Sequence, residues 1–400
     1  MRILIISQYY PPDITAAAFR TGDTVHLLSE MGHEITVLSA LPHKGHVKGQ
    51  EQKACDQPGV RVFKRRIFAL SSGGFFRYIL QYICFAIVAI WEGLRLTISG
   101  WRPDVIWATS PPLTVGLSGW FLSIIMKRPL VLDIRDIWPE SAVAAGQLSN
   151  DSLAFYISKK LESFLYSRSS HITCVSKPMR AYLVEMCKSA VTVVYNGVPA
   201  KFDTEINWGR KYQNTITYVG NLGLLQAVDV LIQGFADLYL SGELKGWLIK
   251  VIGTGVQETE IIELTEKLGI AEHVTFVPPL PRQVALEELS RSALLYLNLK
   301  SNMILEHTIP SKVFDYLLAG RPIIAGILGE GKEILESTGA NVCYEPSNIS
   351  DFKISLKWAI ANLSNLDEKA FRNRDIVLEQ YTREKAVEQL LMTFQGVLEK

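Results

Sequence analysis

The stretch TIPSKVFDYLLAGRPIIA, residues 308–325, predicts how the second half of the chain folds. Pro310 ends an extended segment, and the hydroxyl of Ser311 can accept a hydrogen bond from the first amides of a helix. Gly320 stands where a left-handed helix cap belongs, and an apolar strand follows at residues 323–325. This order indicates a helix between two strands, which is the unit from which parallel α/β sheets are built.

The first turn of this helix combines groups that suit a nucleotide. Unpaired amides and the helix dipole attract anions at a helix N-terminus. Lys312 lies in that turn, and Asp315 lies one turn deeper on a similar face. A cation, free amides and a carboxylate together suit a diphosphate attached to a ribose. An ordinary capped helix with two solvated charges is an equally weighted alternative.

Length and composition restrict the class of protein. The chain has 400 residues, which exceeds one typical core, so two domains are expected. Lys and Arg number 41 against 40 Asp and Glu, and this balance gives no reason to expect nucleic acid as a partner. The five cysteines lack metal-ligand spacing and indicate reduced thiols in a cytosolic protein. Because the chain opens directly on a strand, no signal peptide is expected.

Strands alternate with helices in two successive sets, a pattern typical of parallel, doubly wound sheets. The first set begins with a strand at 3–6 and ends with one at 192–195; the second begins at 215–219. The predicted parts are an N-terminal Rossmann-like domain at 1–198, a hinge at 199–214, a C-terminal Rossmann-like domain at 215–380, and a last helix at 381–400 that packs back towards the first domain. Two such domains place a ligand crevice at the carboxyl ends of both sheets.

Residues 75–98 form an apolar and aromatic segment in the first domain. Its apolar run is too short to span comfortably the ~30 Å hydrocarbon core of a bilayer. We favour a helix that lies in the membrane interface, because basic residues just upstream can meet anionic headgroups. These residues are Arg61, Lys64, Arg65 and Arg66. A buried core helix is the alternative.

The segment DIRDIWPE, residues 133–140, holds the densest cluster of ionisable groups. Asp133, Asp136 and Glu140 follow a predicted strand and can serve as a base, as ligands for hydroxyls or as metal ligands. A structural network around Arg135 is an equally weighted alternative. No metal-binding pattern of histidines and acids occurs, and no serine elbow or Cys/His pair points to a hydrolase.

Two further loops follow predicted strands. The small residues of the loop at 11–18 allow a ligand to come close to the start of a helix. The loop Gly220–Gly223 can bring backbone amides near a phosphate, although its spacing is not that of a Walker loop.

Six segments occur in a characteristic order along nearly the whole chain. They are QYYPPD at 8–13 with Arg20, GHEITV at 32–37, DIRDIWPE at 133–140, VYNGV at 194–198, YVGNLG at 218–223 and PSKVFDYLLAG at 310–320. With them the chain resembles the family 4 glycosyltransferases of GT-B fold, in particular the bacterial enzymes of O-antigen, capsule and colanic-acid assembly. Most segments are weak singly, and together they are specific for the family.

The resemblance implies retaining transfer of a sugar from a nucleotide diphosphate donor, expected to be a UDP-sugar, without a cofactor or metal. The departing phosphate would accept the proton of the acceptor hydroxyl, so catalysis would consist of orientation and charge stabilisation. The expected acceptor is a polyprenyl-diphosphate-linked oligosaccharide in lipopolysaccharide or capsule biosynthesis. Such an enzyme is expected to be cytoplasmic and peripherally associated with the inner face of the cytoplasmic membrane.

The residues and the resemblance together give an expected site. The expected catalytic residues are Asp133, Asp136 and Lys312. The expected donor-binding residues are Gly220, Asn221, Gly223, Arg282, His307, Ser311, Lys312 and Asp315. The expected acceptor-side residues are Asp13, Thr15, Arg20 and Glu140.

The chain departs from the family pattern at several of these positions. His307, with Glu306 adjacent, stands where the family often carries the glutamate that meets the donor sugar. Asn221 and Gln226 stand where the family usually has Arg and Lys, so phosphate binding is expected to depend more on Lys312, on backbone amides and on Arg282. The ribose position, Asp315, is one methylene shorter than the usual glutamate. A sugar-nucleotide 2-epimerase of the same fold and a non-catalytic assembly subunit are the alternative functions.

Overall fold

The computed structural model describes residues 1–13, 15–41, 57–67, 74–208, 212–301 and 304–399, without the side chains of residues 74–78. The chain forms two compact units, of which the first contains residues 1–196 and 383–400 and the second contains residues 197–382. It therefore passes from one unit to the other at 196/197 and at 382/383. Residues 199–214, for which the sequence predicts a hinge, belong to the second unit.

A seven-stranded parallel sheet forms the centre of the first unit. Its strands are β1 (Arg2–Ile6), β2 (Glu34–Ala40), β3 (Val60–Arg65), β4 (Val105–Ser110), β5 (Leu130–Ile134), β6 (His171–Cys174) and β7 (Ala190–Val193). They lie in the order β3-β2-β1-β4-β5-β6-β7. Ile3 of β1, for example, pairs with Ile35 on one side and Val105 on the other. The order reverses between β1 and β4, and doubly wound sheets bind ligands beyond the carboxyl ends at such a reversal.

In the described part of the unit, six helices connect these strands. They are α1 (Ala16–Glu30), α2 (Gly74–Ile98), α3 (Leu113–Met126), α4 (Glu140–Ala144), α5 (Leu153–Arg168) and α6 (Lys177–Met186). The hydroxyls of Thr114 and Ser118 on α3 donate to the carbonyl oxygens of Tyr82 and Ala86 on α2. These two bonds join α2 and α3 side by side, with their chains running in the same direction.

A six-stranded parallel sheet forms the centre of the second unit. Its strands are β8 (Gln213–Val219), β9 (Leu248–Ile252), β10 (Val274–Val277), β11 (Ser292–Asn298), β12 (Ile323–Gly326) and β13 (Val342–Cys343). They lie in the order β10-β9-β8-β11-β12-β13, which reverses between β8 and β11. The helices of this unit are α7 (Phe202–Glu205), α8 (Val228–Leu240), α9 (Glu258–Lys267), α10 (Arg282–Ser290), α11 (Lys312–Ala319), α12 (Gly329–Ser337), α13 (Ile349–Ala361), α14 (Leu363–Lys369) and α15 (Phe371–Gln380).

Both sheets are parallel and doubly wound, which confirms the predicted fold class. Gly320 adopts the left-handed conformation predicted for it, with φ 65° and ψ 34°. Four helices of 7 to 10 residues are not predicted from the sequence: α6, α12, α14 and α15. Helices this short are not recognised by apolar periodicity alone, and α11, which has 8 residues, is predicted from the residues at its two ends.

The last helix, α16 (Arg383–Leu398), belongs to the first unit. Its Leu390 and Phe394 are buried in one apolar cluster with Ile3 and Ile5 of β1. Arg383, at the start of the helix, lies 3.6 Å from a carboxylate oxygen of Asp23 on α1. The end of the chain therefore supplies part of the core around the first strand.

We expect Phe394→Ala to lower the free energy of unfolding by about 3–5 kcal/mol, because the substitution leaves a cavity in a closed core. Phe394 is fully buried. Met392 lies on the same helix and is 61% exposed, so Met392→Ala serves as the control and should change stability by less than about 0.5 kcal/mol. Denaturant unfolding measures both. Equal effects of the two substitutions would show that α16 is not part of this core.

Candidate functional site

Two glycines bring the backbone together at the carboxyl edge of the second sheet. Gly220 follows β8 and Gly253 follows β9, with φ angles of +145° and +144°. A Cβ atom on Gly253 would lie 1.9 Å from the carbonyl oxygen of Gly220. This approach is open only to glycine, and it fixes the path of the loop that follows β8.

Lys312, the first residue of α11, reaches this loop. Its Nζ donates a hydrogen bond to the Tyr218 hydroxyl at 2.9 Å and lies 4.2 Å from the centre of the Tyr218 ring. A Cβ atom on Gly220 would lie 2.7 Å from Nζ, so the glycine also makes room for the lysine. In the described part of the chain no carboxylate pairs with Lys312, although the residue keeps some exposure.

Desolvation lowers the pKa of the Lys312 ammonium to about 7. An anion placed beside Nζ would raise this pKa again, because a nearby negative charge favours the charged form. The position therefore favours a ligand that brings negative charge with it.

Three of the four amides at residues 220–223 already donate within the protein. The amides of Gly220 and Leu222 donate to backbone carbonyl oxygens, each at 2.9 Å. The amide of Gly223 donates to Oε1 of Gln226 at 3.1 Å, which gives that glutamine a role in holding the loop. Of the four amides at residues 220–223, only that of Asn221 makes no hydrogen bond with the described residues. The expectation that the whole loop offers its amides to a phosphate is thereby corrected.

Ser311 does not cap α11, so the capping prediction is wrong. Its backbone is already helical, with φ −56° and ψ −29°, and its hydroxyl accepts no helix amide. The amides of Val313 and Phe314 donate instead to the carbonyl oxygens of Pro310 and Ser311, at 2.9 and 3.2 Å. Within the described residues, the amides of Ser311 and Lys312 at the start of the helix donate no hydrogen bond.

Asp315 forms an ion pair with Arg282 of α10. Both Nη2 and Nε of the arginine donate to Oδ1, at 2.6 and 3.1 Å. The guanidinium also lies 5.3 Å from the centre of the Phe202 ring. Arg282 therefore orients Asp315, and its positive charge is already matched by that carboxylate. The sequence instead predicts that Arg282 contacts a phosphate directly.

Glu306 and His307 lie in a short turn before α11. Glu306 lines a small pocket beyond β11 and β12, together with Lys300 and Thr308, whereas His307 is not among the described residues that line it. Glu306 is the acidic residue among the described residues that line this pocket.

In the first unit, Asp133 is wholly buried in a structural network. Its Oδ1 accepts hydrogen bonds from Nη2 of Arg20 at 3.0 Å and from the Thr173 hydroxyl at 2.7 Å. Nη1 of Arg20 also donates to the carbonyl oxygens of Val194 and Tyr195. These bonds tie α1, β5 and β6 to the segment after β7. They correct the expectation that Asp133 is catalytic and that Arg20 contacts the acceptor.

Three other expected acceptor-side residues are also engaged within the unit. The hydroxyl of Thr15 caps α1 by accepting from the Ala18 amide at 3.1 Å. Asp13 is buried. Glu140 pairs with Lys159 of α5 at 2.5 Å. The structure thus places these residues in internal contacts.

Asp136 differs from the other predicted first-unit carboxylates in its exposure and its contacts. It is partly exposed two residues after β5, and its carboxylate makes no hydrogen bond with the described residues. Desolvation raises its pKa, and the charge of Arg135 opposes this shift. Of the predicted first-unit carboxylates, Asp136 is the one open to a substrate hydroxyl. Among the described residues, no group of three or more histidines, cysteines and acids could hold a metal ion.

Gln8 and Ser110 lie at the same edge of the sheet and were not among the expected site residues. They follow Ser7 and Thr109, whose hydroxyls are 3.2 Å apart across β1 and β4. Both polar atoms of the Gln8 amide and the Ser110 hydroxyl are buried and have no hydrogen-bond partner in the described part of the chain. Because buried polar groups are normally satisfied by protein, water or ligand, they mark a place for a polar ligand. The position of Gln8, two residues after the strand predicted at 3–6, was the available signal.

In the second unit, Tyr218 and Asn298 lie at the site and were likewise not among the expected site residues. Tyr218 holds Lys312, and its hydroxyl donates to the Asn221 carbonyl at 2.6 Å. Asn298 ends β11, and its Oδ1 accepts from the Tyr344 hydroxyl at 3.0 Å. Its Nδ2 is buried without a partner among the described residues.

Two family models match the chain. One, described as "Glycosyl transferase 4-like domain", covers residues 15–197, and the other, "Glycosyl transferases group 1", covers residues 203–374. The probable glycosyltransferase WbjE of Pseudomonas aeruginosa is 23% identical over 62% of this chain and 63% of its own length. The putative colanic acid biosynthesis glycosyl transferase WcaI of Escherichia coli K12 is 21% identical over 90% of this chain and 92% of its own.

Solved structures share the fold. HepE of Anabaena, solved in complex with UDP, matches with a TM-score of 0.71 at 14% identity over 99% of this chain and all of its own. WaaG, a glycosyltransferase involved in lipopolysaccharide biosynthesis, matches with a TM-score of 0.72 at 14% identity over 98% of this chain and all of its own. At such identities the likeness concerns the fold.

We expect Arg20→Ala to lower the free energy of unfolding by about 3–5 kcal/mol, because it leaves the Asp133 carboxylate buried without its cation. Arg2 and Glu34 form a pair with the same 3.0 Å separation on the exposed surface. Arg2→Ala is therefore the control and should cost less than about 1 kcal/mol. Denaturant unfolding compares the two variants. Similar losses would contradict the structural role assigned to Arg20.

Proposed function

Because the chain belongs to the family 4 glycosyltransferases of GT-B fold and is a glycosyltransferase of polysaccharide biosynthesis, we propose that it moves a sugar from a nucleotide diphosphate to a lipid-linked oligosaccharide with retention of configuration. The pathway proposed is O-antigen or capsule biosynthesis. The observation that carries this proposal is the Lys312 ammonium, held against Tyr218 with no carboxylate partner among the described residues. A diphosphate matches such a cation in charge.

The donor is assigned to the carboxyl edge of the second sheet. Lys312 binds the diphosphate there, assisted by the Asn221 amide and by the amides at the start of α11. Asp315, oriented by Arg282, accepts hydrogen bonds from the ribose hydroxyls. HepE has been solved with UDP and with UDP-glucose, and by analogy we propose a UDP-sugar as the donor. Glu306 is the carboxylate proposed to meet the sugar.

The acceptor is assigned to the carboxyl edge of the first sheet. Asp136 accepts a hydrogen bond from the attacking hydroxyl and orients it, while Gln8 and Ser110 bind neighbouring hydroxyls of the acceptor sugar. The departing diphosphate takes the proton of the attacking hydroxyl, and Lys312 stabilises the negative charge that develops on the leaving group. These steps use neither a metal nor a cofactor. A lipid-linked acceptor also places the enzyme at the inner face of the cytoplasmic membrane.

The proposal predicts that purified protein releases UDP from a UDP-sugar only when a polyprenyl-diphosphate-linked oligosaccharide is present. Lys312→Ala should weaken UDP binding by about 10- to 100-fold, because it removes a charged contact to the diphosphate, and should nearly abolish transfer. Asp136→Asn should leave UDP binding unchanged and lower kcat/KM for the acceptor by about 100-fold, because it acts on orientation alone. Calorimetry and a UDP-release assay provide these values.

Lys353→Ala is the matched control, since Lys353 lies in the same unit and pairs with Asp237 at 2.7 Å. It should change neither binding nor transfer. UDP release without acceptor would favour a 2-epimerase, and a protein that binds no nucleotide would be an assembly subunit. Unchanged UDP binding in Lys312→Ala would overturn the assignment of the diphosphate.

A further inference from the structure

The outward side of α2 is apolar. From Ile79 to Ile98 its exposed positions all carry apolar residues except one arginine. These positions are Leu80, Ile83, Ile87, Trp91, Arg95 and Ile98. At 3.6 residues per turn the five apolar ones fall within about 80° of the helix circumference. Ile87 and Trp91 are each 62% exposed, and Ile98 is 85% exposed.

The inward side of α2 includes two polar residues, Gln81 and Glu92, both of which are buried. The Glu92 carboxylate pairs with Arg65 at 2.8 Å and lies 3.5 Å from Arg95. A surface helix of a soluble protein normally points its polar residues to water and its apolar stripe to the core. On α2 an apolar stripe faces outwards, so packing against the described residues of the unit does not account for it.

The sequence predicts an apolar run too short to span a bilayer, and the structure corrects this: the helix is long and apolar enough by composition to cross a membrane. However, α2 connects β3 to β4 of one sheet and is bonded to α3 through the carbonyl oxygens of Tyr82 and Ala86. Because these contacts hold α2 in the first unit, only its outward stripe is free to enter lipid. Such a helix lies in the plane of the interface.

The C-terminal end of α3 extends the apolar stripe and adds positive charge. Ile124 and Ile125 are exposed there, and the exposed residues Lys127 and Arg128 follow directly. Because α2 and α3 run side by side in the same direction, their C-terminal ends lie at the same edge of the unit. Arg95 of α2 lies at that edge as well. No acidic residue occurs on α3, and Glu92 of α2 is buried and paired.

Two of the basic residues expected to meet headgroups are engaged elsewhere. Arg61 pairs with Glu34 at 2.7 Å, and Arg65 pairs with Glu92 at 2.8 Å. Lys127 and Arg128 after α3 form no ion pair with the described residues, so these two cations are better placed for this role than Arg61 and Arg65.

We propose that the α2–α3 face docks onto an anionic phospholipid bilayer. This face consists of Leu80, Ile83, Ile87, Trp91, Ile98, Ile124 and Ile125, with Arg95, Lys127 and Arg128 as its basic rim. The apolar side chains enter the boundary between headgroups and acyl chains, the Trp91 ring lies at headgroup depth, and the basic rim contacts lipid phosphates. The docking itself does not depend on the proposed function. Only its purpose does, which is to bring the enzyme to a lipid-linked acceptor.

Sedimentation with vesicles of phosphatidylglycerol and phosphatidylcholine tests the proposal without donor or acceptor. We expect the full chain to bind these vesicles, and Ile87→Ser/Trp91→Ser to bind at least 10-fold more weakly. Lys127→Gln/Arg128→Gln should weaken binding by about 30-fold, and binding of the unsubstituted protein should fall with salt and on pure phosphatidylcholine. UDP binding should stay unchanged in both variants, which separates this test from that of the proposed function.

The second unit offers a matched control. Ile354 and Trp358 on α13 have the same residue types at the same spacing and are 68% and 53% exposed. Ile354→Ser/Trp358→Ser should leave vesicle binding unchanged. If the serine pair on α2 does not fold, Trp91→Phe serves instead: it keeps the stripe apolar and should remove most of the blue shift in tryptophan fluorescence that the vesicles cause.

Three results would overturn the proposal. The first is that the unsubstituted protein fails to bind phosphatidylglycerol vesicles, and the second is that the α2 and α13 variants bind equally well. The third is that light scattering, without vesicles, shows a dimer that the α2 substitutions dissociate. In that case the α2–α3 face joins two copies of the chain.

Discussion

A lysine ammonium held against a tyrosine ring sets the chemistry of the second unit. The contact between Lys312 and Tyr218 exists because α11 begins beside the start of the loop after β8, and because Gly220 has no side chain in the way. In the described part of the chain no carboxylate neutralises this lysine. Desolvation lowers its pKa to about 7, so the site gains its full positive charge when an anion arrives.

The neighbouring charges are arranged so that this lysine stays available. Arg282 is paired with Asp315, so it orients the carboxylate proposed to hold the ribose. Because its charge is already matched, Arg282 does not compete with Lys312 for the diphosphate.

In the first unit, the Arg20–Asp133 pair is buried and ties the carboxyl edge of the sheet together. Asp136 remains partly exposed with a raised pKa. In the described part of each unit an ion pair supports the edge of the sheet, and we propose that Lys312 and Asp136 bind the substrates.

The alternation of strands and helices was sufficient to predict two doubly wound sheets, because buried parallel strands and their connecting helices repeat along the chain. The sequence also singled out Lys312, Asp315 and Asp136. It could not separate Asp133 from Asp136, since burial and partners decide their roles and the motif shows only their spacing. Ser311 looked like a helix cap by residue type, yet a tight first turn satisfied the amides in its place.

The most direct measurement is an NMR titration of Lys312 in protein with isotopically labelled lysine, assigned by its loss in Lys312→Arg. In the free protein the pKa should be about 7, and saturation with UDP should raise it, because the diphosphate favours the ammonium. A pKa that UDP leaves unchanged would contradict the assignment of Lys312 to the diphosphate, whereas a pKa in the free protein near the ordinary value of about 10.4 would contradict the desolvation of Lys312.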